Sequence, residues 1–197
     1  MTLRRPAADD RAGPLHRLRP ADAGWTWTSL DVERLAPGAR AVRPGDGEEV
    51  LVLVLEGTAS VRAGAAVFEA VGGRASVFED RAAGVVLVAP GDDVEVTATG
   101  PVLLAIASAP GGELRRTAHL DPAGMLLEER GAGPARRFVR NLLGPTAEAG
   151  RLIAVEAYTP GGNWSSYPPH KHDTSDPPNE SQLEELYLYR FDRPSGF

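Results

Sequence analysis

From Trp25 onward the chain repeats one unit, a short apolar or alternating run that is closed by glycine, proline or aspartate. Before residue 111 these runs are WTWTSLDVERL, EEVLVLVL, ASVR, AVFEAV, VVLVA, VEVTA and VLLAIASA, and they end at APG, EGT, AG, GG, PGDD, TGP and PGG. Alternation between turn residues predicts strands joined by tight turns. No stretch of helical period is long enough to be a crossover, so we predict an antiparallel all-β sandwich or barrel rather than a doubly wound fold.

A second block of similar order begins near Met125, with the runs RRFVRNLLG, RLIAVEAYTP and LEELYLYRF. Between the blocks, in PGGELRRTAHLDPAGM, apolar alternation fails and charge rises, which indicates a linker. We therefore predict an N-terminal tail over residues 1–20, a first β unit over residues 21–120, and a second unit, incomplete in this chain, over residues 121–197.

Composition narrows the classes of partner and ligand. The net charge of −6 includes no basic stripe, so we predict a small solute as ligand and no nucleic acid. Without cysteine, a metal would be held by imidazole and carboxylate. The N-terminus lacks a signal-type apolar segment and every apolar run is too short to span a bilayer, so we predict a cytoplasmic protein with no membrane partner. The acidic pairs Glu48-Glu49 and Asp92-Asp93 are predicted to be solvated strand ends.

Two of the chain's four histidines lie one residue apart in GGNWSSYPPHKHD, directly after a double proline. On a strand, His170 and His172 would project to the same face while Lys171 points away, and two imidazoles placed in this way can bind one metal ion. Two surface histidines by chance is the competing interpretation. The carboxylate pair Glu184-Glu185, which returns on the next predicted strand, favours the metal site.

Strand parity favours one of the two glutamates as the metal ligand. If LEELYLYRF is a strand, Glu185 lies on the face of Tyr187 and Tyr189, whereas Glu184 lies on the face of the leucines. A polar, ligand-lined interior suits the first face, so Glu185 is the predicted ligand. Glu184 remains the alternative if the apolar face is the interior.

These residues carry a resemblance to a known family. HxH followed by a glutamate at the start of the next strand resembles the first metal motif of the cupins, and WSSYPPHKHD with LEELYLYRFDRPSGF is similar to the 5-deoxy-glucuronate isomerases of myo-inositol catabolism. AGWTWTSLDVERLAPG, LVLVLEGTASV, ASVFED and APGDDVEV extend the resemblance, which covers about Ala21 to Phe197. It implies a bicupin, a double β-barrel or jelly roll. DGEEVLVLVLEG has no histidine where a cupin carries HxH, so the first half is predicted to be metal-free scaffold.

The resemblance implies an aldose–ketose isomerase, an intramolecular oxidoreductase that converts 5-deoxy-D-glucuronate to 5-dehydro-2-deoxy-D-gluconate. A divalent zinc, manganese or iron ion on His170, His172 and Glu185 would stabilise a cis-enediolate while a base moves the proton between C1 and C2. No organic or redox cofactor is implied, and the substrate is a small uronate-type sugar acid. Glu184 and Tyr187 are the predicted catalytic residues, with Glu180 as a further candidate base.

The sequence departs from the family pattern in two places. The Pro-rich loop between His172 and the glutamates is longer than in the common cupin motif, as it is in this family. Family members continue through strands that close the second barrel and supply a histidine as fourth ligand, which neither His16 nor His119 matches. We therefore expect little or no isomerase activity and weak metal binding from this chain, and whether it is a fragment or a natural truncation stays open, as does homo-oligomer formation. An iron-dependent oxygenase and a non-catalytic sugar-binding cupin remain alternative functions.

Overall fold

The computed structural model describes residues 12–113, 116–144, 149–165 and 167–193, so residues 1–11 of the predicted tail lie outside it. The strands are β1 Gly13–Leu18, β2 Ser29–Leu35, β3 Arg40–Arg43, β4 Glu48–Ala63, β5 Ala66–Arg74, β6 Gly84–Val88, β7 Val94–Ala98, β8 Val102–Pro110, β9 Ala118–Leu120, β10 Leu127–Arg130, β11 Arg137–Leu143 and β12 Ala154–Tyr158. One four-residue helix, α1 Pro20–Ala23, and two short 3-10 turns complete the described elements. The all-β prediction is confirmed. No helix in these ranges has the length and apolarity needed to cross a membrane.

Two antiparallel sheets form the first half, and they share strand β4. The first sheet has the order β1-β2-β8-β4-β6-β9, and the second joins β3, β7, β4 and β5. Residues 48–56 of β4 pair with β6 and β8, whereas residues 57–63 pair with β5 and β7. The strand therefore passes from one sheet to the other at its middle, as corner strands of β-sandwiches do.

The predicted turn at EGT is wrong, because β4 continues through it. Gly57 has φ 84°, and bulges lie on either side of it in the pairing with β5 and β8. A Cβ atom built on Gly57 would lie 2.1 Å from the carbonyl oxygen of Pro101. Glycine here lets the strand bend and change sheets without reversing direction.

The main core lies between the two sheets. Val52 and Val54 of the first sheet pack in one cluster with Val61 and Val96 of the second, and each of the four is fully buried. Val61 and Val96 alternate with more exposed positions along their strands, as the sequence pattern predicted, whereas residues 49–52 of β4 are buried consecutively. Burial of each such side chain stabilises the fold by about 1.5–3 kcal/mol.

The second block packs on the outer face of the first sheet. Leu142, Leu143 and Leu152 form a buried cluster with Leu51 and Leu103 of strands β4 and β8. The first sheet is therefore covered on both faces, which explains why all five residues of β6 are buried and why its sequence is continuously apolar rather than alternating.

Strands β10, β11 and β12 form a separate three-stranded antiparallel sheet in the second block. The runs RRFVRNLLG and RLIAVEAYTP are confirmed as strands, but LEELYLYRF is not one, since the structure assigns no strand to the described residues after Tyr158. At the other end, Gly13–Leu18 pairs with β2 as strand β1, where the sequence predicted a tail. The boundary at residue 120 stays a prediction.

A buried carboxylate joins the two blocks. Glu49 on β4 has no exposed surface, and it accepts hydrogen bonds from the amides of Gly150 at 2.7 Å, Arg151 at 3.2 Å and Leu152 at 3.0 Å. The prediction of a solvated strand end is therefore wrong for Glu49, because the loop of the second block covers this end of the strand. Buried Arg74 on β5 makes a second link through its ion pair with Glu156 on β12.

Candidate metal centre

The histidine pair lies in an irregular segment, and a backbone carbonyl orients each ring. The Nδ1 atom of His170 lies 3.1 Å from the Pro168 oxygen, and the Nδ1 atom of His172 lies 2.9 Å from the Ser181 oxygen. A ring that donates from Nδ1 keeps its lone pair on Nε2, which is the state in which neutral histidine binds metals. The two ring centroids are 5.2 Å apart, and the rings are nearly perpendicular.

Glu185 brings a carboxylate to the same place. One potential ligand atom each from His170, His172 and Glu185 lie within 4.8 Å of one another, near enough for one ion to bind all three after small side-chain movements. Two imidazole nitrogens and a carboxylate oxygen suit zinc, manganese or iron, so the donor set fits the predicted ion. No other such group of three was found in the described part of the chain. His170 and Glu185 are exposed and His172 is half-buried, so the site faces solvent.

The residues that follow Glu185 keep the predicted alternation although they form no strand. The Tyr187 hydroxyl donates to Glu185 Oε1 at 2.6 Å. Its ring stacks on Tyr189 at 5.7 Å, and Tyr189 stacks on Phe191 at 6.4 Å, with 10° between the planes in each pair. Glu185, Tyr187 and Tyr189 therefore share one side of an extended segment, as the parity argument required, while Glu184 is half-buried on the other side.

Glu180 holds the histidine segment in place. Its carboxylate accepts hydrogen bonds from Lys171 Nζ at 2.8 and 3.0 Å, from the Asp173 amide at 2.6 Å and from the Thr174 amide at 2.8 Å. The bond from Lys171, followed by that from the Thr174 amide, lowers the pKa of Glu180 to about 2. A carboxylate of this acidity is a poor base, so the placement favours an anchoring role over the predicted catalytic one.

Glu184 turns away from the histidines and contacts the first half. It accepts hydrogen bonds from the amides of Thr26 at 2.7 Å, Trp27 at 2.8 Å and Thr28 at 2.8 Å. Burial raises the pKa of Glu184, but these amides together lower it below its ordinary value. The placement does not favour the predicted role of Glu184 as a base. Sequence reasoning missed these contacts because they join residues more than 150 positions apart.

Similarity to known proteins assigns the family. The sequence model of the KduI/IolB family matches residues 2–197. The chain belongs to the KduI/IolB family. The resemblance stated from its motifs is confirmed, and the match begins before Ala21, so it also includes β1.

Named relatives and one solved structure agree with this membership. The KduI/IolB chain is 36% identical over 185 residues to the 5-deoxy-glucuronate isomerase of Geobacillus kaustophilus, covering 94% of this chain and 67% of that protein. The corresponding protein of Shouchella clausii is 39% identical over 150 residues, covering 76% and 55%. A crystal structure of an IolB-like protein from Salmonella typhimurium superposes with a TM-score of 0.85 at 34% identity, covering 89% and 67%. The chain thus spans about two thirds or less of the length of these relatives.

Proposed function

We propose that this chain is a sugar-acid isomerase of the KduI/IolB family that interconverts 5-deoxy-D-glucuronate and 5-dehydro-2-deoxy-D-gluconate with the help of a divalent metal ion. The observation that carries the proposal is the convergence of His170, His172 and Glu185. Relatives at 36% identity that are named for this activity support the choice of substrate. Membership of the family does not by itself say whether this chain carries the side chains needed to bind a metal ion. The convergence of His170, His172 and Glu185 supports that it does.

When bound, a divalent ion would polarise the substrate carbonyl and its neighbouring hydroxyl. The chain's own residues would hold the ion and the substrate in position. His170 and His172 present Nε2 because their Nδ1 atoms are bonded to carbonyls, and Glu185 presents the oxygen that Tyr187 leaves free. The open side of the site leaves room for a small sugar acid.

Aldose–ketose isomerisation moves one proton between C1 and C2 and a second between O1 and O2, and Tyr187 is the residue we propose for the transfer between the oxygens. Its hydroxyl lies 2.6 Å from Glu185 Oε1, so it is next to the place where the substrate would bind. Glu180 and Glu184, the other candidates, are each occupied by several donors from the chain itself. A hydroxyl that can both donate and accept a proton is suited to moving one between the two neighbouring oxygens of a bound sugar acid.

The test is conversion of 5-deoxy-glucuronate followed by NMR, on protein that has been stripped of metal and reloaded with zinc, manganese or iron(II). We expect activity to require the ion and to be absent in the His170→Ala/His172→Ala double variant. Tyr187→Phe should retain the metal and lose most of the turnover. Unchanged turnover by the stripped double variant would refute the proposal.

Two alternatives have distinct signatures in the same experiment. Two histidines and a carboxylate are also the ligands of non-haem iron oxygenases, which would consume oxygen in step with substrate loss. A non-catalytic sugar-binding protein would retain the sugar acid without converting it.

A further inference from the structure

Two consecutive glutamates point in opposite directions at the candidate metal centre. Glu185 faces His170 and His172, whereas Glu184 faces the loop between α1 and β2 in the first half. Because the two residues share a peptide bond, the position of one carboxylate restricts the position of the other. What holds Glu184 therefore also limits where Glu185 can lie.

The segment that carries both glutamates has few other attachments. Residues 181–193 form no ladder with any strand. Within the described ranges their one hydrogen bond from backbone to backbone joins the Leu183 amide to the His172 oxygen at 3.2 Å, and the Ser181 oxygen contacts His172 Nδ1. The tie to the first half that the side chains supply is the set of three bonds from the amides of residues 26–28 to Glu184.

The receiving loop is itself fixed, which makes it a suitable anchor. The Trp27 ring lies under the guanidinium of Arg151 at 4.5 Å, and the neighbouring Leu152 amide is bonded to buried Glu49. Three consecutive amides that point at one carboxylate resemble the anion-binding concavities that backbone amides form elsewhere. Charge-assisted bonds of this kind are short and directional, so they hold a side chain in a defined position.

We propose that Glu184 is a positioning residue for the metal centre, and that the first half contributes to the site through the amides of residues 26–28. Glu184 holds the backbone beside Glu185 and thereby keeps that carboxylate within reach of the histidines. The half that the sequence predicted to be scaffold thus determines how tightly the second half binds its ion. The inference rests on the metal site of the proposed function.

The test compares Glu184→Ala and Glu184→Gln with the wild-type chain and with Glu95→Ala. Glu95 is a suitable control because, among the residues that the structure describes, its ion pairs are with Arg40 and Arg62 of the first half. Zinc affinity is measured by calorimetry, the cobalt(II) spectrum reports ligand geometry, and hydrogen exchange of a peptide that contains residues 26–28 reports whether the anchor is formed.

We expect Glu184→Ala to expose the amides of residues 26–28 to exchange, to weaken zinc binding roughly 10- to 100-fold, and to alter the cobalt spectrum. Glu184→Gln, which keeps one acceptor oxygen, should show a smaller loss, and Glu95→Ala no change. Unaltered zinc affinity despite exposed amides would overturn the positioning role, as would amides that stay protected in Glu184→Ala. Loss of turnover in Glu184→Gln at unchanged zinc affinity would assign Glu184 as a base instead. If the wild-type chain binds no zinc or cobalt, the metal site of the proposed function fails, and the anchor is then judged by exchange alone.

Discussion

Replacing Glu49 by alanine should weaken the attachment of the second block to the first and thereby lower the stability of the protein. Glu49 is fully buried on β4, and its carboxylate oxygens accept three amide hydrogen bonds from residues 150–152. Glu48, the residue before it, is half-buried and none of the described hydrogen bonds or ion pairs involves its side chain. The two adjacent glutamates therefore give a matched pair of variants. Glu49→Ala removes the link to the second block, and Glu48→Ala removes a side chain of the same kind that does not take part in that link.

The magnitude follows from the number of bonds and from the burial. A hydrogen bond to a charged group contributes about 1.5–3 kcal/mol, so three of them contribute about 4.5–9 kcal/mol before the cost of burying the carboxylate, which offsets several kcal/mol of that sum. We expect Glu49→Ala to lower the free energy of unfolding by about 3–5 kcal/mol, because it also leaves the amides of residues 150–152 without their acceptor. Glu49→Gln retains one acceptor oxygen and should cost about 1–3 kcal/mol.

Urea denaturation followed by tryptophan fluorescence measures these differences, since Trp27 lies against Arg151 in the same loop region. Glu48→Ala should change stability by less than about 0.5 kcal/mol. Gly150→Ala offers an independent test, because a Cβ atom there would lie 2.6 Å from Glu49 Oε2 and would displace it. A loss below about 1 kcal/mol in Glu49→Ala, or equal losses in the Glu48 and Glu49 variants, would refute the reasoning.

Three further predictions concern the candidate metal site and two ion pairs. Elemental analysis of the His170→Ala/His172→Ala variant should find no stoichiometric metal, because both predicted nitrogen ligands are gone. Burial raises the pKa of Asp31. The hydrogen bond from Arg19 and the positive charges of Arg43, Arg19 and Arg17 outweigh that effect, so the pKa is lowered from its ordinary value. Asp31→Asn should therefore cost about 1–3 kcal/mol at pH 7. This difference from wild type should begin to shrink as the pH falls below about 4, where the unfolded carboxylate takes up its proton, and it should be lost as the pH falls through the lower pKa of the folded state; a difference that does not shrink with falling pH would contradict this. Glu156→Gln should lower stability by about 2–4 kcal/mol because it leaves the buried Arg74 guanidinium without its counter-charge, and a double-mutant cycle with Arg74→Met should give a coupling energy above about 1 kcal/mol.

Local pattern was sufficient for most of the fold class. Runs such as VEVTA and AVFEAV alternate with a period of two and end at glycine, and they are strands β7 and β5. The convergence of His170, His172 and Glu185 was also predictable, because these residues lie close together in the sequence and strand parity needs only an extended backbone. That parity holds without a paired strand, since side chains alternate in any extended segment.

Tertiary structure decided the features that depend on distant partners. Nothing local distinguishes Glu49 from Glu48, or shows that Glu184 binds amides of residues 26–28, because both outcomes depend on which loop covers each side chain. Gly57 is similar, since a glycine after a glutamate is typical of a turn and also of a bulge, and the choice follows from pairing with strands on both sides. A sequence specifies each residue's local preferences, but burial and long-range hydrogen bonding arise only when separate segments pack together, so the roles of these glutamates were determined by the fold.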